Sequence, residues 1–86
     1  MKLFILEVYM GDRWRPRSFF TGTYREAIET LGDNFTAACR LRRVSSLKEY
    51  TELESYLVVM MVPGGEIDRF NWTASVPTDG IEWVAA

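Results

Sequence analysis

The chain of 86 residues contains no histidine and a single cysteine, Cys39. Without histidine or a second cysteine, it cannot form a zinc finger, a cysteine–histidine nucleophile, a serine–histidine–aspartate triad or an internal disulfide. A lone cysteine is typical of the reducing cytosol, so we expect a cytoplasmic protein. The composition indicates a non-enzymatic protein without catalytic residues, metal or cofactor, and surface recognition is the role we expect.

Long hydrophobic runs are also absent. The N-terminal run Leu3–Leu6 ends after four residues at Glu7, and the run at residues 57–62 has six. A signal peptide needs an apolar core of about 7–15 residues and a membrane helix needs about 20, so we expect neither. With 48% hydrophobic and 26% charged residues, and with no linker or repeat, the chain is predicted to form one soluble domain, residues 1–86.

The N-terminal segment predicts a β-hairpin. A strand over residues 3–10 would place Phe4, Leu6, Val8 and Met10 on one face and Leu3, Ile5, Glu7 and Tyr9 on the other. Gly11-Asp12-Arg13 is a turn signal typical of a three-residue hairpin loop. Such a loop pairs residues whose numbers add to 24, which places Phe4 opposite Phe20.

The same register predicts the polar face of the hairpin. It places Glu7 opposite Arg17 as an ion pair and Tyr9 opposite Arg15 as an aromatic–cation pair. Pro16 cannot donate a ladder hydrogen bond, so we expect the second strand at the edge of the sheet.

Two capping boxes indicate helices. Thr23-x-x-Glu26 predicts a short helix that ends at Gly32, and Ser46-x-x-Glu49 predicts a second helix. A third strand is expected between them, over residues 37–44.

The second half is predicted less completely. Residues 56–62 fit either a continued helix or a buried strand, and Val58-Val59 before the turn at residues 63–65 favours the strand. Residues 70–76 alternate like a strand, and residues 81–84 form a last strand or an extended tail. We therefore expect an α+β fold with a mostly antiparallel sheet, in the order β-β-α-β, followed by a short helix and a C-terminal β-hairpin.

Charge is unevenly divided along the chain. Residues 1–45 carry eight basic against five acidic side chains, whereas residues 46–86 carry two basic against seven acidic ones, and the total is −2. The balance is acidic, with a pI near 5.0, and this disfavours a general nucleic-acid binder.

Arginines recur at alternate positions in two segments. If residues 13–17 are extended, side chains spaced by two lie about 6.6 Å apart on one face, and the third strand repeats the pattern. If the first helix covers the other face, these arginines share an open face with Tyr9 and Phe19. A solvated face whose arginines pair with acids such as Glu7 is the ordinary alternative. The candidate partner-binding residues are Arg13, Arg15, Arg17, Arg40, Arg42, Tyr9 and Trp14.

Residues 3–44 carry a family resemblance. Strand, turn and strand are followed by Thr-Tyr-Arg-Glu-Ala-Ile, then by Asn-Phe-Thr and an arginine-bearing strand. This order resembles small phage-encoded accessory proteins, among them anti-CRISPR proteins and inhibitors of host polymerase. The resemblance implies an anti-defence type of inhibitor that occludes a surface of a host protein complex in the host cytoplasm.

Two other functions remain open from the sequence. The arginines and aromatics on one sheet face are also the composition of a module that binds single-stranded nucleic acid or a nucleotide. Alternatively, an exposed sheet edge could pair with itself in a small homodimeric subunit. An affinity that falls steeply with salt concentration would indicate the nucleic-acid module. Sedimentation as a dimer would indicate the homodimeric subunit.

Overall fold

The structure is a computed structural model that describes residues 1–60 and 76–84. The elements are β1 (Lys2–Tyr9), β2 (Trp14–Gly22), α1 (Tyr24–Leu31) with a short 3₁₀ turn (Gly32–Asn34), β3 (Cys39–Arg43) and α2 (Leu47–Met60). The three strands form one antiparallel sheet in the order β2-β1-β3. The predicted α+β class and the β-β-α-β order are confirmed.

The hairpin register is confirmed in its first half and wrong in its second. Phe4 lies opposite Phe20, as predicted, but the register shifts between Leu6 and Glu7, and Glu7 then lies opposite Pro16. Four residues, not three, separate the strands, and the backbone N–H of Met10 donates to the carbonyl of Arg13 at 2.9 Å. The longer loop leaves one extra residue in β2, which is absorbed as a β-bulge.

Both pairs predicted for the polar face are therefore wrong. Tyr9 lies opposite Trp14, not Arg15, and Arg17 falls at the register shift, where it has no directly opposed residue in β1. β2 is an edge strand of the sheet formed by the described strands, as its proline predicts.

Helix α1 has the predicted termini. Thr23 and Glu26 form both halves of the capping box, and Gly32 ends the helix with a φ of 54° and a ψ of −127°, a conformation that favours glycine. β3 begins at Cys39, two residues later than predicted, because the N–H of Cys39 closes a turn on the carbonyl of Thr36 at 3.0 Å.

Helix α2 corrects the interpretation of residues 56–62. It continues from Leu47 to Met60, so the strand is wrong for residues 56–60, and residues 61–62 lie outside the described residues. No glycine or proline interrupts this stretch. Each residue that extends an existing helix adds one backbone hydrogen bond. This gain outweighs the modest β-propensity of Val58-Val59.

The first strand predicted for the C-terminal hairpin, over residues 70–76, falls outside the described residues except for Val76. Residues 76–84, which we call the tail, contain no strand. Residues 79–80 form a turn, and residues 81–84 are extended, which was the alternative to a last strand. The N–H of Glu82 donates to the carbonyl of Met1 at 2.7 Å, beside the point where the N–H of Val44 donates to Leu3. The tail thus continues along β1 where β3 ends.

Both faces of the sheet carry buried side chains. The core on one face joins β1 and β2 to α2 and the tail, and it contains Leu3, Ile5, Phe19, Val44, Tyr50 and Ile81. Phe19 is 3% exposed, with its ring centroid 5.0 Å from that of Tyr50 in α2. The expectation that Phe19 lies on an open face is therefore wrong, because α2 packs over it.

On the opposite face, Phe4 and Leu6 are buried, and the ring of Tyr24 at the start of α1 meets Phe4 edge-on at 5.9 Å. Ala27 and Leu31 bury the inner side of α1. No helix within residues 1–60 and 76–84 is long and apolar enough to span a membrane.

Candidate partner-binding surface

A buried carboxylate organises the middle of the sheet. The side chain of Glu7 is 9% exposed, and its Oε1 accepts hydrogen bonds from Nε of Arg40 at 2.9 Å and from Nε of Arg42 at 3.2 Å. Antiparallel pairing of β1 with β3 sets Glu7 opposite Arg40, so the sheet itself supplies the partners. A buried charge is stable only when it is paired in this way.

Arg42 connects this carboxylate to helix α2. Its Nη1 donates to Oε1 of Glu49, while the N–H and Oγ of Ser45 donate to Oε2 at 3.0 and 2.7 Å. Ser46 caps α2 by accepting from the N–H of Glu49, but the Glu49 carboxylate turns to Ser45, so the reciprocal half of the predicted capping box is displaced by one residue.

The electrostatic balance in this network favours both charged forms. Burial alone would raise the pKa of Glu49, but the hydrogen bonds from Ser45 and Arg42 outweigh it and hold that pKa below its usual value. Burial likewise opposes the charge of Arg42, yet Glu49 and Glu7 raise its pKa. The charged Arg42 side chain therefore holds α2 against the sheet through its ion pair with Glu49.

Arg40 has a second contact on its outer side. Its guanidinium carbon lies 4.3 Å from the centre of the Trp14 ring, and the Trp14 ring lies 5.4 Å from that of Tyr9. The three side chains form what we call the aromatic–arginine cluster: Tyr9, Trp14 and Arg40. Tyr9 is 46% exposed, and Met10 beside it is 56% exposed, so the cluster faces solvent.

Arg13 and Arg15 border a groove between β2 and α2. Its volume is about 410 Å³. It is lined on the sheet side by Arg13, Trp14, Arg15, Pro16 and Arg42, and on the α2 side by Glu49, Glu52, Leu53 and Tyr56. Nη1 of Arg15 donates to the Tyr56 hydroxyl at 3.4 Å. Within residues 1–60 and 76–84, neither Arg13 nor Arg15 forms a salt bridge, although Glu49 and Glu52 line the opposite side of the groove.

Arg17 differs from the other candidate arginines in its strand position, because it lies at the register shift of β2. Burial lowers its pKa, and the nearby Cys39 partly opposes that effect. The evenly spaced stripe expected for residues 13–17 is not formed, because Arg13 is in the loop and Arg17 is at the bulge.

Sequence reasoning missed the contribution of α2 to this surface. The sequence identified Glu49 only as a capping residue and Tyr56 only as part of a helix or a strand. In the structure both side chains line the groove. An acidic residue inside an apolar strand, Glu7, was the one signal that pointed to a buried ion pair. In the described part of the chain, no three cysteine or acidic residues are placed to hold a metal ion.

No protein-family model, curated protein sequence or solved structure matches the chain.

Proposed function

We propose that this protein is a non-enzymatic binding protein that covers a surface of a partner protein through the aromatic–arginine cluster. One observation carries the proposal: Arg40 is held by the Glu7 carboxylate at 2.9 Å and stacks on Trp14 at 4.3 Å, at a solvent-facing site. The resemblance to phage-encoded inhibitors supports a host complex as the partner, occluded without chemistry.

The composition of the cluster suits a protein interface. Tryptophan, tyrosine and arginine are the residues that most often dominate binding energy at protein interfaces. Arg40 is fixed from two sides before any partner arrives, so it loses little rotamer freedom on binding. Met10, next to Tyr9, adds an adaptable apolar contact.

Charge compensation favours a protein over a nucleic acid as the partner. Arg40 and Arg42 share the Glu7 carboxylate, and Arg42 also pairs with Glu49. Phosphate binding needs uncompensated positive charge, and two of the candidate arginines have already been paired. A single-stranded nucleic acid is therefore the weaker alternative on this surface.

Two equally exposed tyrosines allow a matched test. Tyr9 is 46% exposed in the cluster and Tyr24 is 50% exposed on α1, and each packs against one neighbouring ring. The experiment immobilises three proteins separately: the wild type, Tyr9→Ala and Tyr24→Ala. Each is exposed to an extract of cells that carry the gene, and the captured proteins are quantified by mass spectrometry. A central interface residue contributes about 2 kcal/mol or more, roughly a 30-fold change in affinity.

We expect one complex to be enriched by the wild-type protein and by Tyr24→Ala, and to be lost with Tyr9→Ala. As a control, the circular dichroism spectra of both variants should match that of the wild type. Equal capture by the two variants would contradict a docking role for the cluster. Capture abolished by nuclease treatment would indicate a nucleic acid instead, and sedimentation of the purified chain as a stable dimer would indicate self-association.

A further inference from the structure

The groove between β2 and α2 is a second recognition element beside the cluster. Trp14 belongs to both, so a partner seated on the cluster reaches the groove without a gap. At about 410 Å³ the groove is near the low end of the roughly 300–1,000 Å³ typical of ligand sites. It can hold a few residues of an extended chain, and it is too small for a folded element.

The walls of the groove differ in charge. Arg13 and Arg15 on the β2 side have no carboxylate partner within residues 1–60 and 76–84, and the one polar contact of Arg15 there is the neutral hydroxyl of Tyr56. Glu52 lies on the α2 side, exposed to solvent. Trp14 on the β2 side and Leu53 on the α2 side add apolar surface to the groove.

We infer that this groove binds an extended acidic peptide segment of the partner protein. A carboxylate of the segment pairs with Arg13 and Arg15, and an adjacent apolar side chain packs on Trp14 and Leu53. The inference rests on the proposed function, and it specifies the chemistry that the partner presents next to the cluster.

The α2 wall disfavours the nucleic-acid alternative for the same groove. A phosphodiester chain carries one charge per nucleotide along its whole length, so it would meet Glu52 and Glu49 as well as the arginines. An isolated carboxylate contacts only the basic wall. The arrangement of charges therefore matches a segment with single acidic residues among apolar ones.

A random octapeptide display library panned on the immobilised full chain tests the chemistry without knowledge of the partner. We expect enriched peptides with an Asp or Glu next to an apolar residue. The most enriched peptide is then synthesised with a fluorescent label, and its affinity is measured by anisotropy for the wild-type chain and two double variants. Arg13→Ala/Arg15→Ala should weaken binding about tenfold, whereas Lys2→Ala/Arg25→Ala, which removes two charges outside the groove, should leave it unchanged.

Replacing the acidic residue of the peptide by its amide should weaken binding as much as the double arginine variant does. The inference is overturned if no peptide is enriched, if the enriched peptides lack acidic residues, or if the arginine variant binds as the wild type does. It is also overturned if octathymidylate binds more tightly than the peptide, which would assign the groove to nucleic acid.

Failure of this inference is distinguishable from failure of the proposed function. The proposed function is tested by partner capture with Tyr9→Ala and Tyr24→Ala, whereas this inference is tested by peptide binding to the wild type and to Arg13→Ala/Arg15→Ala, so the two tests share no substituted residue. Lost capture with Tyr9→Ala together with no peptide binding would leave the cluster as the docking surface without an acidic segment in the groove.

Discussion

Removing the charge of Glu7 without changing its shape measures what the buried network contributes to stability. Both arginine Nε groups donate to the same oxygen, Oε1, and Glu7→Gln can retain that acceptor. Hydrogen bonds that involve charged groups contribute about 1.5–3 kcal/mol, and we place a bond with one neutral partner nearer the lower end of that range than a bond between two charged groups. Only the arginines stay charged in the variant, so we assign a loss of up to about 1 kcal/mol to each of the two bonds.

Exposure of the arginines reduces the expected effect. Their side chains are 46% and 40% exposed, so solvent screens part of the interaction. We therefore expect Glu7→Gln to lower the free energy of unfolding by about 1–2 kcal/mol. In a domain of this size, each 1 kcal/mol lowers Tm by roughly 4–8 °C.

Urea unfolding followed by circular dichroism provides the measurement, with Glu29→Gln as the matched control. Glu29 pairs with Arg25 at 3.7 Å on the surface of α1, where both side chains are at least 70% exposed, and its loss should cost less than about 0.5 kcal/mol. If Glu7→Gln is as stable as the control or more stable than the wild type, the network does not stabilise the fold.

The remaining predictions concern helix α2 and its neighbours. The pKa of Glu49 is lower in the folded chain than its usual value. The stability that Glu49 contributes is therefore present above about pH 4.5 and is lost as the pH falls through the folded pKa. In unfolding titrations, Glu49→Gln should lose less stability at acid pH than the wild type does. Tyr50→Phe removes hydrogen bonds at 3.0 and 3.1 Å to the N–H and carbonyl of Val76 and should cost about 1–3 kcal/mol in urea unfolding; an unchanged midpoint would contradict this anchoring of the tail. Gly32→Ala meets open space but forces a side chain into a conformation suited to glycine, and calorimetry should show a loss of about 1–2 kcal/mol.

The sequence predicted elements better than it predicted the junctions between them. The capping box at Thr23 and the glycine at position 32 specify α1 locally, so both ends of that helix were found. The hairpin loop was one residue too short in the prediction, because loops of three and four residues both fit Gly11-Asp12-Arg13 and the choice depends on contacts outside the hairpin. Glu7 illustrates this, since its partners come from β3, more than thirty residues away.

The members of the candidate site were predictable, but their arrangement was not. Tyr9, Trp14 and Arg40 were singled out by residue type, whereas their mutual contacts depend on the pairing of β1 with β2 and β3 at once. The register shift placed Arg17 at a bulge instead of opposite Glu7, and α2 covered the face that was expected to be open. Neither outcome follows from alternation along a single strand.

Site-specific photo-crosslinking tests the docking surface most directly. Tyr9→benzoylphenylalanine places a crosslinker in the cluster, and Tyr24→benzoylphenylalanine places the same group at an equally exposed position on α1. Illumination in cells that carry the gene should yield a discrete crosslinked protein from position 9 and none from position 24. A crosslink from position 24 alone, or none from either position, would contradict docking through Tyr9, Trp14 and Arg40.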